Sequence, residues 1–117
     1  VLGDKALPII SIVLPEDKVF SFENKYSGET QEVIVTNQLS SELKKKAQDL
    51  ALRIHSLLGC RHLSRTDMII DSKGNLWVIE TNTIPGMTEN SLFPKAAKAF
   101  GLNMGGLVEE LINLSLV

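Results

Sequence analysis

Residues 63–92 contain the feature that most constrains the fold of this chain: two short segments of strand character joined by a turn-forming sequence. Successive residues of a strand point to opposite faces of a sheet, so alternate positions share a face. Two such sets are present: Arg65, Asp67 and Ile69 in the first segment, and Val78, Glu80 and Asn82 in the second. The pattern predicts a β-hairpin with charged and polar groups collected on one face.

The connection between the two segments carries the turn residues Ser72-Lys73-Gly74-Asn75. We expect a loop of two residues at Lys73-Gly74, or of four residues from Ser72 to Asn75. Either length pairs Asp67 with Glu80 and Arg65 with Asn82. A loop of odd length would break this register unless a bulge compensated for it.

Directly opposed strand residues have Cβ atoms roughly 4.5–5.5 Å apart, and like charges there destabilise the sheet. Asp67 and Glu80 would therefore favour a cation between them, with Asn82 as a third oxygen ligand. An all-oxygen set suits Mg²⁺, which keeps water and often bridges to phosphate. Arg65 on the same face could hold a phosphate or a developing oxyanion. The alternative, from spacing alone, is a solvated hairpin face whose acids pair with lysines.

The literal residues add a family resemblance. The strings RTD and IETNTIPGMTENSLFP, in this order and at this spacing, closely resemble the C-terminal half of the ATP-grasp domain in D-alanine–D-alanine ligases. The opening VLGDKALP and the pair Lys25-Tyr26 extend the resemblance over essentially the whole chain. The resemblance implies an ATP-dependent ligase that forms D-alanyl-D-alanine for peptidoglycan precursors, with ATP and Mg²⁺, or Mn²⁺ in its place, as cofactors.

The resemblance also implies roles for individual residues. The metal ligands would be Asp67, Glu80 and Asn82, the last two also contacting the nucleotide together with Lys25. The catalytic groups would be Arg65, the backbone N–H of Gly86, and Tyr26, which helps to close a loop over the active site. The carboxylate of the second D-alanine would be held by Ser91 and Leu92.

Ligases of the resembling family carry two further portions upstream, one for the first D-alanine and one for gripping the nucleotide. We therefore expect residues 1–117 to form a single C-terminal subdomain of a larger, homodimeric, cytoplasmic enzyme. Two alternatives stay open: another carboxylate–amine ligase of the ATP-grasp class, and a module that folds without catalysing anything alone.

Composition narrows the class of protein. The 117 residues are 44% hydrophobic and 22% charged, as in ordinary globular domains, and the net charge of -2 offers no basic surface for nucleic acid. The longest apolar run is too short for a membrane span. The single Cys60 excludes an internal disulfide and fits a reducing compartment. Neither a nucleic acid nor a membrane is an expected partner.

Periodicity predicts an α+β fold, an antiparallel sheet with helices packed on one side. We expect a hairpin of strands at Ile9–Leu14 and Val19–Asn24, and a short strand at Val33–Val35. The clearest helix spans Ser40–Leu58, capped by Ser40, stopped at Gly59 and carrying His55 on its polar side. Two further helices follow, one from Pro94 to Phe100 and one capped by Asn103, with Met104 in its core-facing stripe.

Overall fold

The computed structural model describes residues 1–13, 31–34 and 39–116, with the backbone alone described at 13 and 31–34. Seven elements follow one another in these ranges: β1 (Ile10–Val13), β2 (Gln31–Ile34), α1 (Ser41–Leu57), β3 (Arg65–Ile70), β4 (Leu76–Asn82), α2 (Leu92–Phe100) and α3 (Met104–Ser115). None of the helices in these ranges has the length and apolarity needed to cross a membrane.

The strands form two separate antiparallel ladders, β1 with β2 and β3 with β4. This confirms the α+β class. In the first ladder Ile10 pairs with Ile34 and Val13 with Gln31. The expected short strand is present at Val33 and Ile34. The strand expected at residues 19–24 lies outside the described residues.

Helix α1 begins and ends as its sequence predicts. Ser40 accepts a hydrogen bond from the Leu43 N–H at 3.2 Å through its hydroxyl, and this satisfies one of the unpaired donors of the first turn. Gly59, just past the end, has a φ of +64°, which glycine adopts without the steric cost of a side chain. The exposed face carries the ion pairs Lys45–Asp49 and Lys46–Glu42, each spaced by four residues.

The placement of His55 on the polar side of α1 is wrong. Its side chain is buried, and its Nδ1 lies 2.7 Å from the hydroxyl oxygen of the fully buried Ser64. Burial lowers the pKa of His55, because desolvation disfavours the charged imidazolium. The pair links the end of α1 to the residue that precedes β3.

The core lies where α2 packs against the N-terminal segment and α3. Its buried members are all apolar: Leu2, Leu7, Phe93, Ala96, Ala97 and Leu107. Met104 packs against this cluster, as predicted, and α2 also contacts both strands of the first ladder. Helix α2 begins at Leu92, two residues before the predicted Pro94, and ends at Phe100, followed by the C-cap residue Gly101 with a φ of +105°. The core thus fixes α2 and, with it, the loop that connects α2 to β4.

Candidate functional site

The β3–β4 hairpin pairs Asp67 with Glu80 and Arg65 with Asn82. Partners in an antiparallel ladder share a face, so these four side chains lie on one face of the hairpin. This register was predicted, but the predicted loop was wrong. Ile70 pairs with Leu76, so the loop consists of the five residues 71–75. An odd length such as this was expected to break the register unless a bulge compensated for it.

A β-bulge restores the register. Asp67 pairs with Glu80, but the next residue, Met68, pairs with Val78. Ile79 therefore has no partner in the ladder and is the extra residue of the bulge. One prediction fails as a result: Val78 pairs with Met68 and therefore lies on the face opposite Glu80. Two polar side chains on that opposite face, those of Thr66 and Thr81, are joined by a 3.0 Å hydrogen bond between their hydroxyls.

Asp71 stabilises the five-residue loop through its carboxylate. The carboxylate accepts hydrogen bonds from the Lys73 N–H, the Asn75 N–H and the Asn75 side-chain amide, each at 2.9 Å, and from the Trp77 indole N–H at 3.0 Å. These bonds, that from Trp77 foremost, lower the pKa of Asp71 to about 2. Sequence reasoning missed Asp71, although an aspartate two residues before a Lys-Gly-Asn turn is a recognisable Asx-turn signal.

Arg65 and Asp67 form a bidentate ion pair along β3. The guanidinium donates from Nε to Oδ1 at 2.8 Å and from Nη2 to Oδ2 at 3.1 Å. Both side chains are largely buried, with exposed fractions of 19% and 23%. Paired hydrogen bonds of this kind fix the plane of the guanidinium more firmly than a single contact would.

Glu80 and Asn82 complete the face. Glu80 is exposed, and the Asn82 side-chain oxygen accepts a hydrogen bond from the Ile84 N–H at 2.9 Å, which turns the chain at the end of β4. In the part of the chain that the structure describes, no three His, Cys, Asp or Glu side chains converge well enough to hold a metal ion. An ion on this face would depend on two carboxylates, one amide oxygen, and oxygens from outside the protein.

The donor set nevertheless fits Mg²⁺. All three groups offer hard oxygens, and a Mg²⁺ site that uses one or two carboxylates normally completes its shell with water and phosphate. The bonds from Arg65 use two of the roughly four lone-pair sites of the Asp67 carboxylate, so they do not by themselves prevent it from binding a cation.

A second cluster forms in the loop between β4 and α2. Ser91 is the N-cap residue of α2, yet its side chain makes no capping hydrogen bond. The Ser91 hydroxyl instead lies 3.1 Å from the Thr88 backbone nitrogen and 2.6 Å from the Thr88 hydroxyl. A Cβ added to Gly86 would lie 2.8 Å from the Ser91 hydroxyl oxygen, so a side chain at position 86 would displace it. The structure thus brings Gly86 and Ser91 together, and Leu92 follows as the first residue of α2.

Two other predicted site residues, Lys25 and Tyr26, lie outside the described residues. The remaining seven lie on the hairpin face, in the Gly86–Ser91 loop that begins four residues after Asn82, or, for Leu92, at the start of α2. Thr88 was not among the candidates. Its hydroxyl and backbone N–H both contact a predicted substrate ligand, and no feature of the sequence alone reveals that contact.

Comparison with known proteins gives consistent matches. A family profile described as "D-ala D-ala ligase C-terminus" matches residues 1–113. The D-alanine--D-alanine ligase of Actinobacillus succinogenes is 41% identical over 115 residues, which cover 98% of this chain and 37% of that protein. That of Leptospira biflexa is 44% identical over 104 residues, covering 89% of this chain and 30% of the relative.

Solved structures agree with the sequence matches. The D-alanine--D-alanine ligase of Bacillus anthracis, crystallised in complex with ATP, superposes with a TM-score of 0.82 at 34% identity, covering 99% of this chain and 36% of that one. The D-alanine-D-alanine ligase of Coxiella burnetii superposes with a TM-score of 0.78 at 27% identity, and the match covers 97% of this chain and 29% of that one. The chain therefore spans between 29% and 37% of the length of these relatives. The family profile covers almost all of its residues, so the chain belongs to the D-alanine–D-alanine ligase C-terminal family.

Proposed function

We propose that this chain is the C-terminal part of the ATP-grasp domain of a ligase that joins two molecules of D-alanine. The observation that carries the proposal is the hairpin register, which collects Arg65, Asp67, Glu80 and Asn82 on one face in a chain of this family. The ATP complex of the Bacillus anthracis relative supports ATP as the nucleotide.

The proposed reaction has two steps. The first D-alanine carboxylate takes the γ-phosphoryl group of ATP, giving an acyl phosphate and ADP. The amine of the second D-alanine then attacks the acyl carbon, and the tetrahedral intermediate expels phosphate to leave D-alanyl-D-alanine. A ligase site must therefore supply cationic groups for the phosphoryl group and fixed donors for the oxyanion.

The residues of this chain fit those needs. The Arg65 guanidinium, its plane fixed by Asp67, would donate to the oxyanion together with the Gly86 N–H. Ser91 and the Leu92 N–H would hold the carboxylate of the second D-alanine. Lys25 would contact the nucleotide phosphates, and Tyr26 would help to close the active-site loop.

Asp67, Glu80 and Asn82 would hold Mg²⁺, with Mn²⁺ as a substitute, and Glu80 and Asn82 would lie next to the nucleotide. The bound ion would neutralise charge on the β- and γ-phosphates. We further propose a homodimeric, cytoplasmic parent enzyme whose product enters peptidoglycan precursor synthesis.

The test is the activity of the full-length enzyme that contains this chain. The enzyme, incubated with ATP and Mg²⁺, should release phosphate only when D-alanine is added, and mass spectrometry should identify D-alanyl-D-alanine. Phosphate release that depends on a different amine or carboxylate would instead identify another ligase of the ATP-grasp class. No amino-acid-dependent phosphate release at all would contradict the proposal.

A further inference from the structure

The hydroxyl of Ser91 lies within hydrogen-bond distance of two groups of the same residue, Thr88. The Thr88 backbone N–H donates to the Ser91 oxygen at 3.1 Å, and the two hydroxyl oxygens are 2.6 Å apart. The backbone adds a third link, since the Ser91 N–H donates to the Thr88 carbonyl at 2.9 Å. Ser91 is thus held against the loop and not used to cap α2.

The proton count of these groups determines what Ser91 can offer a ligand. A hydroxyl has one proton to donate and two lone pairs that accept. The Thr88 N–H can only donate, so it uses one lone pair of Ser91. Between the two hydroxyls the proton can lie on either side. If Thr88 donates, both lone pairs of Ser91 are used and its own proton remains available. If Ser91 donates, that proton is no longer available to a ligand.

We infer that Thr88 is a positioning residue that donates to Ser91 and so leaves the Ser91 proton for the carboxylate of the second D-alanine. The inference rests on the proposed function, because it takes Ser91 as the ligand of that carboxylate. A carboxylate only accepts hydrogen bonds and requires a donor. With an anion bound, the arrangement in which Thr88 donates is therefore favoured over its reverse.

Gly86 leaves room for this arrangement. A Cβ at position 86 would lie 2.8 Å from the Ser91 oxygen and 3.3 Å from the Ser91 Cβ, a closer approach to the oxygen than real Cβ atoms make. The hydroxyl therefore lies in a space bounded by Thr88 and by the backbone at Gly86.

The test uses Thr88→Val in the full-length enzyme, since valine keeps the shape of threonine and removes the hydroxyl. The KM for the second D-alanine should rise on the order of five- to tenfold, as expected when a hydrogen bond between neutral groups that orients Ser91 is lost. The KM for ATP and the melting temperature should stay near their wild-type values. Thr88→Ser restores a hydroxyl. Its KM for the second D-alanine should lie within about twofold of wild type, a smaller change than the loss of a hydrogen bond causes.

A double-mutant cycle separates positioning from a merely structural role. In a Ser91→Ala background, Thr88→Val should change the KM for the second D-alanine no further, because Thr88 acts only through Ser91. An equal rise in both backgrounds would overturn the inference, and so would an unchanged KM in Thr88→Val alone. An unchanged KM in Ser91→Ala would also overturn it, while D-alanine-dependent dipeptide formation by the unmodified enzyme would leave the proposed function standing.

Discussion

Arg65 and Asp67 are two residues apart on β3 and are joined by two hydrogen bonds, at 2.8 and 3.1 Å. The contact was not predicted, because the sequence suggested only that the two side chains share a face with Glu80. It gives Asp67 two roles in the proposed mechanism: an oxygen ligand for the cation and a support that orients the guanidinium. The pair is mostly buried, so solvent screens it less than it would a surface ion pair.

Arg65→Lys in the full-length enzyme should lower kcat by a factor on the order of 10²–10³, the usual effect of losing one oxyanion donor. An ammonium cannot reproduce the planar two-bond geometry with Asp67, so the donor would no longer be aimed. The KM for ATP should change far less. Steady-state kinetics at saturating D-alanine measures both quantities.

The matched control is Arg53→Lys on the exposed face of α1, which should leave kcat unchanged. A kcat for Arg65→Lys within about threefold of wild type, well short of an oxyanion-donor loss, would exclude the role assigned to the guanidinium.

Glu80→Gln should abolish metal-dependent turnover while the fold stays intact. Glutamine nearly matches glutamate in shape but lacks the charge that attracts the cation opposite Asp67. Two measurements check this: a Mg²⁺ titration of phosphate release, and binding of Mn²⁺ by electron paramagnetic resonance with ADP present. Glu109→Gln, at an exposed position of α3, is the control. It should bind Mn²⁺ and release phosphate as the wild type does. Wild-type Mn²⁺ affinity in Glu80→Gln would remove Glu80 from the metal site.

Asp71 should make the stability of the hairpin depend on pH in the acid range. Its pKa in the folded chain is about 2, below the value of about 3.9 expected when unfolded. A lowered carboxyl pKa contributes stability above the unfolded value, and that contribution is lost as the pH falls from about 4 towards 2. Asp71→Asn should therefore lower the urea midpoint at pH 5, and the difference from wild type should shrink by pH 2.5.

Trp77 reports this change directly, because it is the only tryptophan of the 117 residues and its indole donates to Asp71. Its emission in the folded wild-type chain should titrate with a midpoint near pH 2, the pKa of Asp71 in the folded state. Asp71→Asn should remove that titration, whereas Asp49→Asn on α1 should retain it. Emission that is insensitive to pH in the wild type would contradict the assigned hydrogen bond.

Gly86→Ala should raise the KM for the second D-alanine, because the new methyl group would displace the Ser91 hydroxyl from its place beside Thr88. Gly105→Ala is the control: its Cβ would lie 3.5 Å from the Asn103 side-chain oxygen, an ordinary contact, within a helix that favours alanine. The control should keep normal kinetics and a melting temperature at least equal to that of wild type. Equal KM values in the two variants would argue against the close packing at position 86.

The 117-residue chain alone should release no phosphate from ATP in a D-alanine-dependent way. It spans about 37% of the length of its Actinobacillus relative, so most of a complete ligase of that length lies outside these residues. A phosphate assay with ATP, Mg²⁺ and D-alanine measures this. Release above background that requires D-alanine would show that these residues suffice.

Local signals in the sequence predicted local structure well. Ser40 and Asn103 both cap helices through their side chains, and Gly101 ends α2 in the left-handed conformation. Such caps depend on a few adjacent residues, so they can be predicted directly from the amino-acid sequence. The burial of His55 depends instead on Ser64, nine residues away, and helical periodicity alone could not reveal it.

The site was predicted in part. The pairing of Asp67 with Glu80 was correct, although the even loop on which it was argued is absent. Two separate features, the Asp71 turn and the bulge at Ile79, together produce the same register. Side-chain contacts such as Arg65–Asp67 and Thr88–Ser91 depend on rotamers and could not be read from spacing.

The bulge at Ile79 also has a consequence for variation in length among related hairpins. A deletion of one residue between Trp77 and Glu80 would convert the bulge into regular pairing and leave Asp67 opposite Glu80. A deletion in either strand between its acid and the loop, with the bulge kept, would move one acid to the far side of the hairpin. Insertions and deletions that natural selection tolerates in this hairpin should therefore concentrate at the bulge and in the loop, or occur at both places together.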